Sequence, residues 1–235
     1  MFSDSDIEVL KRVARVFEQA YIRFLDLQKA EAQAREAQIE SALERVRSRT
    51  LAMQKSGELA ETATVLFKQL MLLGVEPNRL YINIIQDDHG HAESWITDED
   101  GSKVITAFIT DLNANPTFKK MVDGWKAQKK SLIIDVHGKE LEEYFDHLNS
   151  IGVRVNRVPI SRSAVAQAGL SQKRRLHYLA YFSKGFIGMA SPDEQPKETL
   201  QLLERFAAVF NLTFTRFNDL KVAEAHALQA EQDLV

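Results

Sequence analysis

The chain has 235 residues, of which 45% are hydrophobic and 27% charged, so it can bury a core. Its formal net charge is −3, and it therefore has no basic excess to favour binding of nucleic acid or an anionic membrane. It contains no cysteine, which excludes disulfides, thiolate nucleophiles, cysteine-ligated metal sites and thioether-linked chromophores. No signal peptide is recognisable, and no apolar run approaches the roughly 18 residues of a membrane span. We therefore expect a soluble cytoplasmic protein with neither nucleic acid nor membrane as a partner.

The first predicted element is a long N-terminal helix that repeats a segment near the C-terminus. Residues 10–34 and 203–227 align without a gap, and 13 of the 25 aligned positions are identical. The identities include the charged positions Arg23, Asp26 and Glu31. Helices rich in Ala, Glu and Leu also resemble one another through composition alone. We interpret the repeat as a tandem array in which residues 1–35 form the tail helix of a preceding unit.

Residues 36–73 are predicted to form a linker helix and the first helix of a domain, with a break near Gly57. Apolar residues recur there, and in the preceding helix, at intervals of seven. They are Leu25, Ala32, Ile39, Val46, Met53, Ala60 and Phe67. This spacing favours packed, supercoiled helices and so predicts a homodimer through the N- and C-terminal helices. The alternative is that these residues pack on the core of their own domain.

Residues 74–195 are predicted to form one α+β domain, because short strands there alternate with helices. Two helices are predicted at 115–129 and 139–150, and residues 153–175 show no regular pattern. Residues 196–235 form the C-terminal tail helix, which we expect to lead to a further domain. The predicted strands are 80–85, 91–97, 104–110, 131–136, 176–183 and 185–190.

Several segments resemble GAF-like sensor domains of bacterial multidomain signalling proteins, of the sensor histidine kinase type. They are Ala42–Thr50 (ALERVRSRT), Met53–Ser56, Trp125–Ser131 (WKAQKKS), Phe182–Gly185 (FSKG) and the Leu203–Phe217 helix. The resemblance implies a GAF-like central antiparallel sheet of five to six strands. One face of that sheet would hold a small-molecule pocket, and the other would pack on long N- and C-terminal helices. The chain lacks the cysteine that would attach a bilin, and the Asn-Lys…Phe-x-x-x-Asp-Glu pattern associated with cyclic-nucleotide binding.

No motif of an enzyme active site is present. The sequence has no Gly-x-x-x-x-Gly-Lys-Ser/Thr loop and no Gly-x-Gly-x-x-Gly opening a helix. We therefore expect a non-catalytic sensory and dimerisation module, with an output kinase or other signalling domain in the same chain. The alternatives are a purely structural dimeric connector without a ligand, and an anion- or nucleotide-binding regulatory domain. Neither a cofactor nor a metal ligand set is identified.

Two groups of residues are candidates for binding an unknown small molecule. The stretch between His147 and Pro192 carries no carboxylate but seven Lys and Arg residues, and Arg suits bidentate contacts with carboxylate or phosphate. These charges could instead face the acidic segment 76–111 as a complementary surface. Aromatic and His side chains could line a pocket, although such residues are more often plain core. The candidate ligand-binding residues are Trp95, Trp125, Arg154, Arg157, Arg174, Arg175, His177 and Tyr181.

Overall fold

A computed structural model describes residues 3–55, 58–76, 79–86, 91–97, 104–151 and 173–232. The chain divides into two compact units, Met1–Ser41 and Ala42–Val235. The first helix, α1 (Asp4–Leu51), begins in the first unit and ends in the second. Its N-terminus has a reciprocal cap: the Ser3 backbone N–H donates to Asp6 Oδ2 (2.9 Å) and the Asp6 N–H donates to Ser3 Oγ (3.3 Å). These bonds satisfy donors that the first turn of a helix otherwise leaves unpaired.

The first unit is helical throughout its described residues, and its apolar side chains are exposed. Along one side of α1, large apolar residues recur at intervals of three and four, and each is more than half exposed. We call this set the α1 stripe: Leu10, Val13, Phe17, Tyr21 and Phe24. An apolar row at this spacing is typical of a helix face that packs on another element.

The second unit combines four further helices with six strands. The helices are α2 (Leu59–Leu72), α3 (Pro116–Lys126), α4 (Gly138–Ser150) and α5 (Lys197–Gln232). The strands are β1 (Arg79–Gln86), β2 (His91–Thr97), β3 (Val104–Asp111), β4 (Ser131–His137), β5 (Arg174–Phe182) and β6 (Gly185–Ser191). Asn115 caps α3, because its side chain accepts a hydrogen bond from the Thr117 N–H (2.8 Å) and Pro116 follows at the first helical position.

The six strands form a single sheet in the order β3-β2-β1-β6-β5-β4, and every neighbouring pair is antiparallel. The predicted α+β class, with a central antiparallel sheet of five to six strands and flanking helices, is therefore confirmed. One boundary was wrong: residues 174 and 175, assigned to the irregular segment 153–175, belong to β5. The cause is Arg175, whose side chain is buried in the sheet although its charge is typical of a loop.

The two faces of the sheet pack against different helices. Helices α3 and α4 cover one face, where they share a hydrophobic core with Tyr81, Leu179 and Phe186. On the other face α5 packs against β5 and β6, and the Phe182 ring lies 5.1 Å from the Phe210 ring. Successive residues of a strand point to opposite faces, so each central strand contributes side chains to both cores.

The C-terminal copy of the repeat is buried within the second unit. Its residues at the positions of the α1 stripe are all at most 7% exposed. We call this set the α5 stripe: Leu203, Phe206, Phe210, Phe214 and Phe217. Equivalent sequences therefore have opposite exposure in the two helices.

The seven-residue apolar pattern does not run through one continuous helix. Helix α1 ends at Leu51 and α2 begins at Leu59, while Gly57, the predicted break, lies outside the described residues. Val46, Met53 and Phe67 are buried in the second unit, whereas Ala60 is exposed. These three buried residues pack on the core of their own domain, as the alternative interpretation required. In the part of the chain that the structure describes, none of the helices combines the length and the apolar character of a membrane span.

Candidate ligand site

A small cavity lies between the sheet and helices α3 and α4. Its volume, taken as the space open to the centre of a water-sized sphere, is about 30 Å³. We call it the Arg79–Arg175 cavity. Its lining residues come from four strands and two helices: Arg79, Tyr81, Asn83, Ser94, Ile96, Thr110, Phe118, Met121, Tyr144, Leu148 and Arg175.

One wall of the cavity depends on the absence of a side chain at Gly188. Tyr81 on β1 lies directly opposite Gly188 on β6, and Gly188 in turn lies opposite Leu179 on β5. A Cβ at position 188 would lie 2.1 Å from Cε2 of Tyr81, far closer than any van der Waals contact. The Tyr81 ring therefore lies flat across β6, and its hydroxyl reaches Nδ1 of His177 on β5 at 2.8 Å.

Burial sets the protonation of this Tyr–His pair. The pKa of His177 is well below its usual value of 6.5, chiefly because burial penalises the charged ring and secondly because Arg175 is nearby. Burial likewise raises the pKa of Tyr81. His177 is therefore neutral at physiological pH, and its ring is held by the hydrogen bond with Tyr81 and by an edge contact with the Tyr144 ring, 5.1 Å away. Among the described residues, no hydrogen-bond partner reaches Nε2 of His177.

Two buried guanidinium groups give the cavity its positive charge. Arg79 begins β1 and Arg175 is the second residue of β5, and each is only 2% exposed. The Arg175 guanidinium carbon lies 6.0 Å from the centre of the Tyr144 ring and 5.8 Å from that of Phe145, both on α4. These distances are typical of cation–π contacts, which hold the guanidinium against the helix.

Neutral polar groups line the end of the cavity nearest β3. The Ser94 hydroxyl donates to Asn83 Oδ1 (2.6 Å) and lies 3.1 Å from Thr110 Oγ1. All three side chains are buried. Aliphatic and aromatic side chains complete the wall on the side of α3, where Phe118 and Met121 lie. The lining thus separates into a polar part and an apolar part, as is usual for small-molecule sites.

The structure brings two of the eight sequence-predicted residues to this cavity and its edge. Arg175 lines the cavity, and His177 lies beside it through the contact with Tyr81. Arg154 and Arg157 lie outside the described residues.

The other four predicted residues lie elsewhere. Arg174 is half-buried and donates to Asp135 (2.9 Å) and Glu194 (3.2 Å), ion pairs that raise its pKa and lower that of Asp135. Trp95 is paired with Ile82, on the face turned away from the cavity. Trp125 and Tyr181 line a separate open groove with Ser183, where the Tyr181 hydroxyl donates to the Met121 carbonyl oxygen (2.9 Å). Within the described ranges, no three His, Asp or Glu side chains are grouped as a metal site requires.

Sequence reasoning missed Arg79 and the polar group of Asn83, Ser94 and Thr110. The sequence signal that could have revealed them is the alternation of residue types along β1. Arg79, Tyr81 and Asn83 share one face of this strand, and three aliphatic residues share the other. Because every residue from Leu80 to Ile85 is buried, the segment reads as one continuous apolar strand. The buried polar face is then easily overlooked.

No family model matches the chain, and no curated protein matches it. Solved structures do match. One is the phycoerythrobilin-bound GAF domain of a cyanobacterial phytochrome, with 12% sequence identity, a TM-score of 0.41, and coverage of 75% of this chain and 96% of that domain. Another is a phycocyanobilin-bound GAF domain from a cyanobacterial phytochrome, with 13% identity, a TM-score of 0.41, and coverage of 77% and 94% respectively.

Proposed function

We infer that the second unit is a non-catalytic sensory module of a signal-transduction protein, of the bacterial sensor histidine kinase type that the sequence resembles. The observation that carries this inference is the double role of strand β5. Its residues Arg175 and His177 point to the cavity, whereas Phe182 and Tyr178 point to the α5 face. A ligand in the cavity thus contacts the same strand that holds the C-terminal helix.

Direct contacts connect the far side of β5 and its turn to α5. The Tyr178 hydroxyl accepts a hydrogen bond from the Gln195 N–H (2.8 Å), just before the helix begins. Beyond the other end of the strand, the Ser183 hydroxyl donates to Asn211 Oδ1 (2.5 Å). A small displacement of β5 on ligand binding therefore changes how α5 packs. A ligand shifts the population towards the altered α5 packing only if it binds that packing more tightly than the original one. A sensor must therefore show a measurable difference in α5 packing between its bound and free states.

The absence of cysteine allows a clean test of this coupling. We would introduce Ala60→Cys on α2 and Ala223→Cys on α5, two exposed positions, and measure the distance between attached spin labels by pulsed electron resonance. The probes are acetate, propionate, cyclic AMP and ATP, each first assayed for binding by calorimetry. A shifted distance distribution with a compound that binds supports the sensor. An unchanged distribution with every compound that binds contradicts it.

A structural connector is the competing function, and the close packing of the cavity face favours it. Seventeen buried residues of the described ranges form one hydrophobic cluster there, so the cavity is small. A connector needs no ligand, so substitutions that fill the cavity with larger side chains should not impair its function. The sensor is preferred because buried charged and polar side chains, Arg79, Arg175 and Asn83 among them, line part of the remaining space. Polar groups inside a core cost stability unless they serve a purpose.

We also propose that the α1 stripe pairs with the α1 stripe of a second copy of the chain, giving a homodimer. The same residue pattern is buried in α5, and this supports a packing role for the α1 stripe. A pairing of two identical stripes is self-complementary and closes at two chains. The apolar spacing continues beyond the stripe at Leu25 and Ala32, as a longer helical seam requires.

Sedimentation equilibrium of the full chain at about 5 to 50 µM tests the dimer. The double variant Val13→Glu/Phe17→Glu should be monomeric, whereas Gln19→Glu, an exposed polar position on the same helix, should remain dimeric. A monomeric wild-type chain over this range, or equal association of all three proteins, refutes the pairing.

A further inference from the structure

The open groove at the C-terminal end of α3 shares no lining residue with the Arg79–Arg175 cavity. Its volume, measured in the same way, is about 590 Å³. Small-molecule sites have volumes of roughly 300 to 1,000 Å³, whereas a protein partner usually covers about 20 or more residues on each side. The groove therefore has the size of a small-molecule site. We call it the Trp125 groove, and its lining residues are Trp125, Lys126, Gln128, Lys129, Tyr181, Phe182 and Ser183.

Hydrogen bonds to main-chain carbonyl groups hold two aromatic rings of the groove in place. The Trp125 indole N–H donates to the Ser183 carbonyl oxygen (3.3 Å), and the Tyr181 hydroxyl donates to the Met121 carbonyl oxygen (2.9 Å). Tyr181 also depends on Gly124, where a Cβ would lie 2.1 Å from the hydroxyl oxygen of the tyrosine. Rings that are already fixed lose little conformational entropy on binding, so they favour a flat aromatic ligand.

The ionised side chains of the groove are positive. Lys126 and Lys129 line it, both are exposed, and none of its described lining residues is Asp or Glu. The neighbouring Lys130 is paired with Glu204 (2.5 Å). In the described part of the chain, neither Lys126 nor Lys129 takes part in an ion pair. Both ammonium groups are therefore available to an anionic group of a ligand.

Gln128 has a backbone conformation that favours glycine. It follows α3 with a φ of 52°. Its N–H donates to the Trp125 carbonyl oxygen (2.8 Å), and the N–H of Lys129 donates to the Gly124 carbonyl oxygen (3.1 Å). This pair of bonds is a Schellman C-cap, in which the left-handed residue is usually Gly because a Cβ is strained there. The Gln128 side chain thus costs stability at a position that lines the groove, and a contact with a ligand would account for that strain.

We propose that the Trp125 groove binds a planar aromatic compound that carries one anionic oxygen group, a carboxylate or a phosphate. The aromatic ring lies against Trp125, the two lysines attract the anionic group, and the Gln128 amide donates a hydrogen bond to it. This proposal goes beyond the sensory role of the cavity, since it assigns a separate site. Because the Ser183 hydroxyl donates to Asn211 of α5 (2.5 Å), the second site also adjoins the C-terminal helix.

Heteronuclear NMR of the isotope-labelled full chain tests the site, because the chain has only two Trp residues and so two indole N–H signals. Trp125 lines the groove, whereas Trp95 on β2 lies outside it and is 5% exposed, so Trp95 is an internal control. The variant Trp125→Phe assigns the two signals. The probes are naphthoate and naphthyl phosphate. They are compared with neutral naphthylmethanol and with cyclohexanecarboxylate, an anion without an aromatic ring.

A ligand of this size is expected to bind in the millimolar range, so each compound is titrated to about 10 mM. Naphthoate, naphthyl phosphate or both should shift the Trp125 signal saturably and leave the Trp95 signal unchanged. Naphthylmethanol and cyclohexanecarboxylate should bind about threefold more weakly or less still. The absence of a saturable shift at Trp125 overturns the proposal. A shift by naphthylmethanol at the same affinity as the aromatic anions overturns it as well.

Exposed lysines provide matched variants that leave the core intact. Lys126→Gln and Lys129→Gln should each weaken binding of the aromatic anions by about twofold to fivefold, as the loss of an exposed charge contact does. Lys119→Gln changes an exposed lysine of the same helix outside the groove and should leave binding unchanged. Equal affinities of the wild type and both groove variants refute the site.

Gln128→Gly separates the two roles of residue 128. It removes the strained Cβ, so it should raise the equilibrium constant for folding by about threefold. It also removes the amide, so it should weaken binding of the aromatic anions by about twofold or more. A more stable variant that binds these anions less tightly supports the proposal. A variant that binds them as tightly as the wild type refutes the contact assigned to Gln128.

Discussion

Tyr81 and His177, 96 residues apart in the chain, are hydrogen-bonded across the strand that separates them. Their strands, β1 and β5, both pair with β6 and not with each other, and the Tyr81 hydroxyl lies 2.8 Å from Nδ1 of His177. The contact exists because Gly188 on β6 leaves the space that the Tyr81 ring occupies. Gly188 and His177, on the two neighbouring strands, thus fix the position of the Tyr81 ring, which lines the cavity.

The first prediction is that Gly188→Ala destabilises the second unit. The new methyl group would lie 2.1 Å from Tyr81, so the ring must move and its bond to His177 is lost. Overpacking of a core typically costs about 1–3 kcal/mol, and we expect a loss in this range. Chemical denaturation followed by circular dichroism measures it.

A double-mutant cycle provides the control for Gly188→Ala. In a Tyr81→Ala background the ring is absent, so the added methyl group should cost much less than in the wild type. If Gly188→Ala is equally costly in both backgrounds, the contact with Tyr81 is not the reason for the glycine.

The second prediction concerns the pH dependence of the free energy of unfolding. The folded state lowers the pKa of His177 well below 6.5, so below about pH 6.5 the unfolded chain binds a proton that the folded chain excludes. Stability from this residue is complete above pH 6.5 and falls as the pH decreases from there. The loss attributable to His177 should grow steadily as the pH is lowered below 6.5. His177→Gln should be less sensitive over the same interval.

The comparison of these two proteins isolates His177, because all other titratable groups are shared. The free energy of unfolding is measured for both between about pH 7.5 and pH 5. Asp135 and Glu204, whose pKa values are lowered by Arg174 and Lys130 respectively, titrate below this range. Parallel pH profiles for wild type and His177→Gln would show that His177 is not buried in its neutral form.

The third prediction uses the two copies of the repeated helix. Phe210 is fully buried and Phe17, its equivalent at an offset of 193 residues, is 71% exposed. Phe210→Ala should lower the unfolding free energy of the second unit by about 3–5 kcal/mol, as large core truncations do. Phe17→Ala should change it by less than about 0.5 kcal/mol. Denaturation at low protein concentration, with tyrosine and tryptophan fluorescence as the signal, distinguishes the two.

The fourth prediction concerns a buried pair of hydroxyls between α1 and α5. Thr50 Oγ1 and Thr213 Oγ1 are 2.6 Å apart, and the Thr50 hydroxyl also lies 2.9 Å from the Val46 carbonyl oxygen. Thr213→Val leaves one hydroxyl with a partner missing and should cost about 1–2 kcal/mol. Thr50→Val/Thr213→Val removes both and should recover part of that loss. A double variant less stable than the sum of the single ones would contradict this view of the pair.

Strong alternation and turn signals made most of the sheet predictable. β2 was predicted with its observed bounds, 91–97, because His91 to Thr97 is flanked by acidic and glycine-containing segments. The helices at 115–129 and 139–150 were also found, although α3 ends three residues earlier, at Lys126. Gln128 takes a positive φ of 52° just beyond it, which a helix cannot continue through.

The cavity was harder to predict because its essential residues break the usual rules of burial. Arg79 and Arg175 are charged residues inside the sheet, and their positions suggested the ends of loops. Arg175 was nevertheless proposed as a ligand residue through its charge, and Arg174 beside it for the same reason. Only the strand register shows which of the two neighbours points inward. A shift of the strand register by one residue would move every side chain of the strand to the opposite face of the sheet.

Helix α5 extends well past the sheet that holds it. Its last described buried side chain is Phe217, and from Asn218 to Ala230 no side chain is buried. At 1.5 Å per residue this free portion is a rod about 20 Å long. A tilt of about 6° at the sheet would carry its far end by about 2 Å. A helix of this length beyond its last buried residue converts a small rotation at the sheet into a displacement of ångströms at its far end.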